Sequence, residues 1–314
     1  MIFAGRSAPG CSYSCRELQR DFMFGLLNIN KPSGITSRAV VDRVQRLVRP
    51  VKAGHAGTLD PLAQGVLVVG LGPATRLVPY VQQMPKTYRA TFLLGRTSAS
   101  EDTETEVTEI ADAPRPTAAE IAEACRALTG EIQQRPPAYS AVKVAGRRSY
   151  ALARAGESPE LAARPVTIYR LGVLAYNYPE LMLDIECSSG TYVRSLGRDL
   201  AESLGSGAVM SALVRTAIGQ FTLASAIEIG TLDRERLDSS LLPAGETVRQ
   251  LPHLVLEAAD IERLVRGQLI DSPAASVASE IAGVDAAGRL IAILHPRDGR
   301  LAGRPCFAAA ESQS

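Results

Sequence analysis

Short apolar runs and alternating segments mark the candidate strands of this sequence. Residues 25–29 and 65–71 are almost continuously apolar, which is typical of buried strands. Residues 86–94 alternate between apolar and polar positions, the pattern of a strand with one face in the core. Further strand patterns lie near residues 139–145, 165–176, 180–187 and 208–223.

Apolar residues recur at helical spacing between these strands. The clearest case covers residues 40–48; Thr36 or Ser37 can cap this helix, and its other face carries arginines. Further helices are predicted near residues 73–83, 117–130, 149–155, 193–204 and 258–267. Thr117 and Thr191 are candidate caps because each comes just before such a segment.

The length of 314 residues fits one large domain or a large domain with a small one. A cluster of proline and glycine near residues 242–252 predicts a boundary there. We therefore expect a main domain over residues 23–250 and a small C-terminal region over residues 251–314. Residues 1–22 lack a continuous apolar core and do not fit a secretory signal; we expect them to form a disordered extension.

Composition excludes several classes of protein. Hydrophobic residues make up 46% and charged residues 21% of the chain, which excludes a disordered or fibrous protein. The longest strongly apolar run, residues 65–71, is too short to cross a bilayer, so we expect a cytoplasmic protein without a membrane partner. Five cysteines without C-x-x-C pairs and three scattered histidines predict neither a disulfide framework nor a metal site.

Charge is unevenly distributed along the chain, although the net charge is only +1. Residues 23–100 carry ten basic and two acidic side chains, whereas residues 101–134 carry two basic and nine acidic ones. Such segregation allows one face of the protein to attract phosphate groups. Solvated helix faces are the alternative explanation for the same clusters.

Residues 54–65 are the most informative segment for chemistry. Gly54 and Gly57 free the backbone for a tight path, and Asp60 before Pro61 fits a helix N-cap. A helix N-terminus favours the ionised carboxylate, and an ionised aspartate on a constrained loop is a credible nucleophile. An ordinary cap or turn is the alternative.

Arg194 is the second candidate, in the first turn of a predicted helix. A cation there opposes the helix dipole, and Arg198 adds like-charge repulsion. An anion should compensate it; Asp60, a phosphate ligand or another acid would each do so. Tyr88, on a predicted strand flanked by bases, either packs in the core or stacks on a nucleobase.

Six segments together resemble the TruB-type tRNA pseudouridine synthases, which isomerise the uridine at position 55 in the tRNA T-loop. They are residues 25–34 (GLLNINKPSG), 54–65, 86–90 (KTYRA), 137–143 (PAYSAVK), 189–194 (SGTYVR) and 213–215 (LVR). The resemblance covers roughly residues 24–222, and the first two segments together are highly specific. It implies an α+β fold with a large mixed, mostly antiparallel sheet flanked by helices, and a small β-rich C-terminal region similar to a PUA domain.

The resemblance also implies roles for particular residues. Asp60 is the expected catalytic aspartate, Arg194 its ion-pair partner and Tyr88 the aromatic residue that stacks on the target base. His55 and Leu213 are expected to contact the flipped nucleotide, and the other expected substrate-binding residues are Lys31, Arg76, Tyr192 and Arg215. The implied reaction uses base flipping and needs no metal, redox cofactor or ATP. The implied partner is the T-arm of tRNA, and we expect the enzyme to be a monomer.

The chain departs from the family pattern in three places. Thr105 stands where the family has a glycine after an acidic turn, and Val214 stands where an arginine often follows the leucine. Residues 1–22 have no counterpart, and Met23 immediately precedes the first motif. We therefore hypothesise that translation starts at Met23, which a native N-terminus at Met1 in mass spectrometry would reject.

Three other functions compete with this interpretation. A guide-dependent pseudouridine synthase of small ribonucleoproteins shares the aspartate loop, but the short C-terminal region argues against it; activity on free tRNA without guide RNA would decide. A non-catalytic RNA-binding or RNA-folding protein would use the same groove, although Asp60, Tyr88 and Arg194 are all present. A small-molecule hydrolase that uses His55 and Asp60 lacks a nucleophile triad pattern.

Overall fold

The computed structural model describes residues 23–140, 143–144, 147–154, 161–272 and 278–308. Its strands are β1 Gly25–Lys31, β2 Ala53–His55, β3 Gln64–Leu71, β4 Lys86–Leu94, β5 Arg96–Thr97, β6 Thr108–Glu109, β7 Gly130–Gln134, β8 Lys143–Val144, β9 Arg147–Arg148, β10 Arg164–Asn177, β11 Glu180–Cys187, β12 Ala208–Ile218, β13 Phe221–Thr222, β14 Ile227–Glu228, β15 His253–Val255, β16 Ile281–Val284, β17 Leu290–Arg297 and β18 Arg300–Cys306. Its α-helices are α1 Ser37–Val48, α2 Val78–Gln83, α3 Ala118–Ala127, α4 Ser149–Arg154, α5 Val193–Ser203, α6 Arg234–Ser239 and α7 Ala258–Val265. The extension expected at residues 1–22 lies outside the described residues.

A ten-stranded sheet forms the body of the protein. Its strands follow the order β14-β1-β3-β12-β4-β11-β10-β7, with β13 paired to β12 and β2 paired to β3. The pairs β1–β14 and β3–β12 are parallel, whereas the other pairs along this order are antiparallel. The expectation of an α+β fold with a large mixed, mostly antiparallel sheet is therefore confirmed.

Helix α1 packs its valine face onto strands β1 and β3. Thr36, not Ser37, caps the helix, since its side chain accepts a hydrogen bond from the backbone N–H of Ala39 at 3.1 Å. The buried valines of the helix meet Leu27 and Val69 of the sheet. The arginines of the helix consequently point to solvent.

Helices α3 and α5 cover the other part of the sheet. Thr117 caps α3 as predicted and forms a capping box with Glu120. The predicted Thr191 cap of α5 is wrong: the Thr191 hydroxyl instead donates to the Ser188 carbonyl at 3.1 Å, because it closes the turn before the helix. A Cβ added at Gly197 would lie 2.0 Å from the Phe92 ring, so glycine lets α5 lie close on β4.

Three other expectations change in detail. The helix predicted at residues 73–83 is a 3-10 helix, Gly72–Leu77, followed by α2, where Pro79 starts a new first turn. The strand predicted at residues 208–223 is a hairpin of β12 and β13. Within residues 139–145, only β8 is a strand among the described positions, and part of this range lies outside them.

A second sheet, in the order β15-β16-β17-β18, forms the small C-terminal β-rich region. It packs onto the main sheet through a continuous apolar core in which Ala282 and Ile293 meet Leu26 and Val66. The Phe307 ring also stacks on Phe24, with ring centroids 4.8 Å apart. The boundary near residue 250 and the likeness to a PUA domain stay predictions. No helix in the described part of the chain is long and apolar enough to span a membrane.

Candidate active site

A cleft of about 650 Å³ opens between the loop of residues 56–63, strands β4 and β12, and the start of α5. Six of the residues expected at the site line it: Asp60, Tyr88, Tyr192, Arg194, Leu213 and Arg215. The cleft wall also includes Thr36, Lys86, Glu104, Tyr139, Tyr150 and Arg164. Lys31, His55 and Arg76 are not among the lining residues.

The loop that carries Asp60 is fastened to the first motif of the chain. Lys31 is fully buried below it, and its ammonium donates to the carbonyls of Ala63 at 2.5 Å and Pro32 at 2.9 Å. Ser37 binds the loop twice, because its hydroxyl accepts from the Leu59 N–H at 2.8 Å and donates to the Leu59 carbonyl at 3.0 Å. Residues 25–37 therefore act as the frame of the aspartate loop.

Asp60 lies in a turn and not at the start of a helix. No helix follows it, and the Asp60 carbonyl accepts from the Ala63 N–H at 3.1 Å. The predicted N-cap is thus wrong, and the chain forms a turn at Asp60. The reason is that the residues after Pro61 return at once into strand β3, which leaves no room for a helix.

Arg194 supplies the positive charge that the helix start would have supplied. Its Nη2 lies 3.1 Å from Asp60 Oδ2, and its Nη1 lies 3.3 Å from Asp102 Oδ2. Two carbonyls, those of Ser100 at 2.8 Å and Tyr139 at 3.0 Å, accept hydrogen bonds from its terminal nitrogens. Because this guanidinium is buried and bound through both terminal nitrogens, it holds the Asp60 carboxylate in one place.

An aromatic and apolar surface faces this ion pair. Tyr88 is buried, and burial raises the pKa of its phenol, so the hydroxyl keeps its proton at neutral pH. Leu213 lies on the neighbouring strand β12, where it pairs with Ala90. Arg215 sits next to Tyr88 and is fixed by the carbonyls of Val66 at 2.8 Å and Gly57 at 3.1 Å.

Lys86 is a cleft residue to which no role was assigned from the sequence. Its ammonium donates to the Met84 carbonyl at 2.6 Å and to the Gln82 carbonyl. Burial, assisted by the charge of Arg215, lowers the pKa of Lys86 to about 8. The amine is therefore mostly protonated at pH 7 and adds a cation to the cleft.

His55 and Arg76 lie away from the cleft wall. His55 is on β2, pairs with Val69 and has a buried Nδ1 without a hydrogen-bond partner among the described residues. Burial, followed by the charge of Arg215, lowers the pKa of His55, so its ring is neutral at pH 7. Arg76 is exposed on the 3-10 helix. Their expected contacts with RNA stay predictions.

Asp102, Tyr139 and Arg164 complete the site and were not identified from the sequence. Asp102 is the second carboxylate at Arg194, and the Arg164 guanidinium lies over the Tyr192 ring at 4.9 Å. The sequence does hold one signal for Asp102: two adjacent acids at residues 101–102 could pair with the two arginines, Arg194 and Arg198, that lie one turn apart on the same predicted helix. No periodic pattern indicates that the two segments meet.

Taken together, the cleft offers the partly exposed Asp60 carboxylate, held by Arg194, beside an aromatic ring and several cations. Asp60 is 37% exposed, so the carboxylate is open to a reacting group. The cations Lys86, Arg164 and Arg215 line the same cleft and suit a phosphate-bearing ligand. Within the described residues, no three histidine, cysteine or acidic side chains are grouped for metal binding.

A protein-family model matches the middle of the chain. The profile described as "TruB family pseudouridylate synthase (N terminal domain)" matches residues 45–193. This range includes the Asp60 loop and strand β4, and it ends at Val193, the residue before Arg194.

Curated relatives match over most of the chain. A tRNA pseudouridine synthase B from Arthrobacter sp. (strain FB24) is 44% identical over 290 residues, which cover 88% of this chain and 94% of that protein. The protein of the same name from Mycobacterium bovis (strain BCG / Pasteur 1173P2) is 41% identical over 281 residues, with 88% and 93% covered.

Solved structures share the fold at lower identity. The crystal structure of a Cbf5-Nop10-Gar1 complex contains a chain with a TM-score of 0.70 and 24% identity, covering 92% of this chain and 87% of that one. An H/ACA RNP bound to a substrate RNA containing 2′-deoxyuridine gives a TM-score of 0.71 at 23% identity, with 94% and 87% covered. At this identity the match supports the fold alone.

Proposed function

The chain belongs to the TruB family of pseudouridylate synthases, and we propose that it isomerises uridine 55 of tRNA with Asp60 as its catalytic carboxylate. It is an enzyme that converts uridine to pseudouridine in tRNA, as the names of relatives more than 40% identical indicate. The observation that carries the aspartate assignment is the Asp60–Arg194 contact of 3.1 Å at the open side of the cleft.

The reaction replaces the bond between ribose C1′ and uracil N1 with a bond between ribose C1′ and uracil C5. The N1–C1′ bond to ribose breaks, the ring turns, and a C5–C1′ bond forms; C5 loses its proton to solvent and N1 takes up a proton, so the product is an isomer of the substrate. One anionic group near ribose and base suffices for this sequence, and Asp60 is the partly exposed carboxylate of the cleft that contacts Arg194. Arg194 keeps that group aligned, because its buried guanidinium is itself fixed by Asp102 and by two backbone carbonyls.

The target base must leave its stack before Asp60 can reach it. Enzymes that act on a base flip the nucleotide into a pocket and compensate the lost stacking with aromatic and apolar contacts. Tyr88 and Leu213 lie on neighbouring strands of the cleft wall and are suited to this contact. The family role of Tyr88 as the stacking residue is therefore our assignment for this chain.

The cations around the cleft support tRNA as the partner. Lys86, Arg164 and Arg215 line the cleft itself, and the arginine face of α1 starts at its rim, where Thr36 is a lining residue. Affinity for tRNA should consequently fall steeply as salt concentration rises. We further propose that the enzyme acts as a cytoplasmic monomer on the T-arm.

The experiment that tests the function is tritium release from an unmodified tRNA transcript labelled with [5-³H]uridine, without guide RNA. A transcript in which cytidine replaces uridine 55 is the matched control. We expect tritium from the first transcript and none from the second. Absence of tritium release while tRNA still binds would favour a guide-dependent or non-catalytic protein. Equal release from both transcripts would overturn the assignment of uridine 55 as the target.

A further inference from the structure

Glu101 is a buried acid that the proposed reaction does not use. Its side chain is only 15% exposed, and it does not line the cleft. The Ser195 hydroxyl donates to its Oε2 at 2.8 Å, and the Arg198 Nη1 donates to its Oε1. Both partners belong to α5, the helix that carries Arg194.

The backbone of Glu101 is unusual for a glutamate. Its φ is +62°, the left-handed region that favours glycine and asparagine. The main chain is held there by strand β12, since the Glu101 carbonyl accepts from the Met210 N–H at 3.0 Å. A side chain kept at such a position by its surroundings points to a function for that side chain.

Helix α5 depends on outside contacts for its orientation. Tyr192 at its N-cap makes no side-chain capping bond, and the first turn holds no acidic residue to offset Arg194. The adjacent residues Glu101 and Asp102 supply negative charge to this end of the helix. Asp102 contacts Arg194. Glu101 contacts Ser195, the next residue, and Arg198, one turn further along the helix.

We propose that Glu101 is a positioning residue for the reaction: by binding Ser195 and Arg198 it fixes α5 so that Arg194 meets Asp60. This inference rests on the proposed function of the cleft. The chain of contacts runs from Glu101 through Ser195 and Arg198 to the helix backbone and then from Arg194 to Asp60.

The position of Glu101 predicts which kinetic parameter depends on it. Since Glu101 lies outside the cleft wall, its loss should leave the affinity for tRNA almost unchanged. A small displacement of the catalytic group, by contrast, slows the chemical step strongly, by up to about 10²-fold for 1 Å. The expected effect is therefore on the rate of the bound complex and not on binding.

The test compares Glu101→Gln with Glu109→Gln in the intact protein, using the tritium assay under single-turnover conditions. Glutamine keeps the size of the side chain and removes its charge. Glu109 is an exposed acid paired with Arg96 at 2.8 Å, so its variant controls for loss of one carboxylate in the same segment. We expect Glu101→Gln to lower the single-turnover rate roughly 10- to 100-fold, with the Kd for tRNA and the Tm close to wild type, and Glu109→Gln to change none of these.

Folding is expected to survive the substitution because Arg198 keeps other partners. Its Nη2 also donates to Asp199 at 2.7 Å and to the Arg135 carbonyl at 3.0 Å. Should Glu101→Gln nevertheless lower the Tm, Glu101→Asn provides the second variant, since asparagine suits the left-handed backbone. A slow but stable Glu101→Asn would support the proposal, and one that is as fast as wild type would overturn it.

Arg198→Met adds a check on the route through the helix. If Glu101 acts through Arg198, the rate losses of the two single variants will not add in the double variant. A wild-type rate in Glu101→Gln, a loss confined to Kd, or fully additive losses would each overturn the positioning role. An inactive wild-type protein would instead overturn the proposed function, and the positioning role with it.

Discussion

Arg194 contacts carboxylates from two loops, and the two carboxylates differ in their exposure to solvent. The loop of residues 56–63 presents Asp60 with 37% of its side chain exposed, whereas the turn of residues 98–105 buries Asp102 to 1% exposure. Asp102 Oδ1 accepts from the Ser100 hydroxyl at 2.6 Å and from a backbone N–H at 2.9 Å. No such bond among the described residues ends on the Asp60 carboxylate.

The difference shows how one arginine serves both structure and chemistry. Asp102, with its other oxygen occupied and no access to solvent, fixes the guanidinium. Asp60, held on one side only, keeps an oxygen available to a bound nucleotide. A buried cation that contacts one inaccessible and one accessible carboxylate therefore holds Asp60 in place without blocking it.

Removing the shared arginine should give the largest effect on both loops. Arg194→Ala leaves Asp102 buried without its cation, which costs about 3–5 kcal/mol of stability, and frees Asp60 from its partner. We expect turnover to fall roughly 10²- to 10³-fold, measured by tritium release alongside urea unfolding. Arg46→Ala, on the exposed face of α1, is the control and should leave the free energy of unfolding unchanged. Normal turnover in Arg194→Ala would contradict the pairing.

Neutralising the buried partner should affect stability more than chemistry. Asp102→Asn keeps the shape of the side chain but removes its charge, and we expect a loss of about 1–3 kcal/mol in the free energy of unfolding. Turnover should fall only about 10-fold, because Asp60 still meets Arg194. Loss of turnover in an Asp102→Asn variant of wild-type stability would contradict the structural role of Asp102.

Lys31, which supports the Asp60 loop, should make the stability of the protein depend on pH. Burial lowers the pKa of Lys31 from 10.5 to about 8. Between these two values the unfolded chain binds a proton that the native state has released, so Lys31 makes stability rise with pH. The Tm of wild type minus that of Lys31→Met should grow by a few °C from pH 8 to pH 10.

An exposed lysine supplies the control for this effect. Lys52→Met removes a side chain at the surface, and its Tm difference from wild type should stay constant over the same pH range. If the Tm difference between wild type and Lys31→Met also stays constant with pH, burial does not lower the pKa of Lys31.

The sequence predicted the elements whose pattern is local. Strand β4 has the predicted bounds, residues 86–94, and α1 has the predicted valine face and Thr36 cap. The segments that resemble the family led to Asp60, Tyr88 and Arg194, which do meet in one cleft. The strand and helix predictions are confirmed because periodic patterns depend on the local sequence.

Contacts between distant segments could not be predicted in the same way. Glu101 and Asp102 lie in a non-periodic loop, and their partners on α5 are more than ninety residues away in the sequence. The Thr191 cap failed for a related reason, since its hydroxyl serves the turn before the helix. Such choices depend on how the loops pack against one another.

The most direct measurement of the central claim is single-turnover tritium release by Asp60→Asn, with tRNA affinity and Tm determined on the same protein. Asparagine keeps the shape of the side chain and removes only the charge that Arg194 holds. The account predicts a rate lower by of order 10³-fold or more, with unchanged Tm and nearly unchanged Kd. Release at the wild-type rate would contradict the role of Asp60 as the catalytic carboxylate.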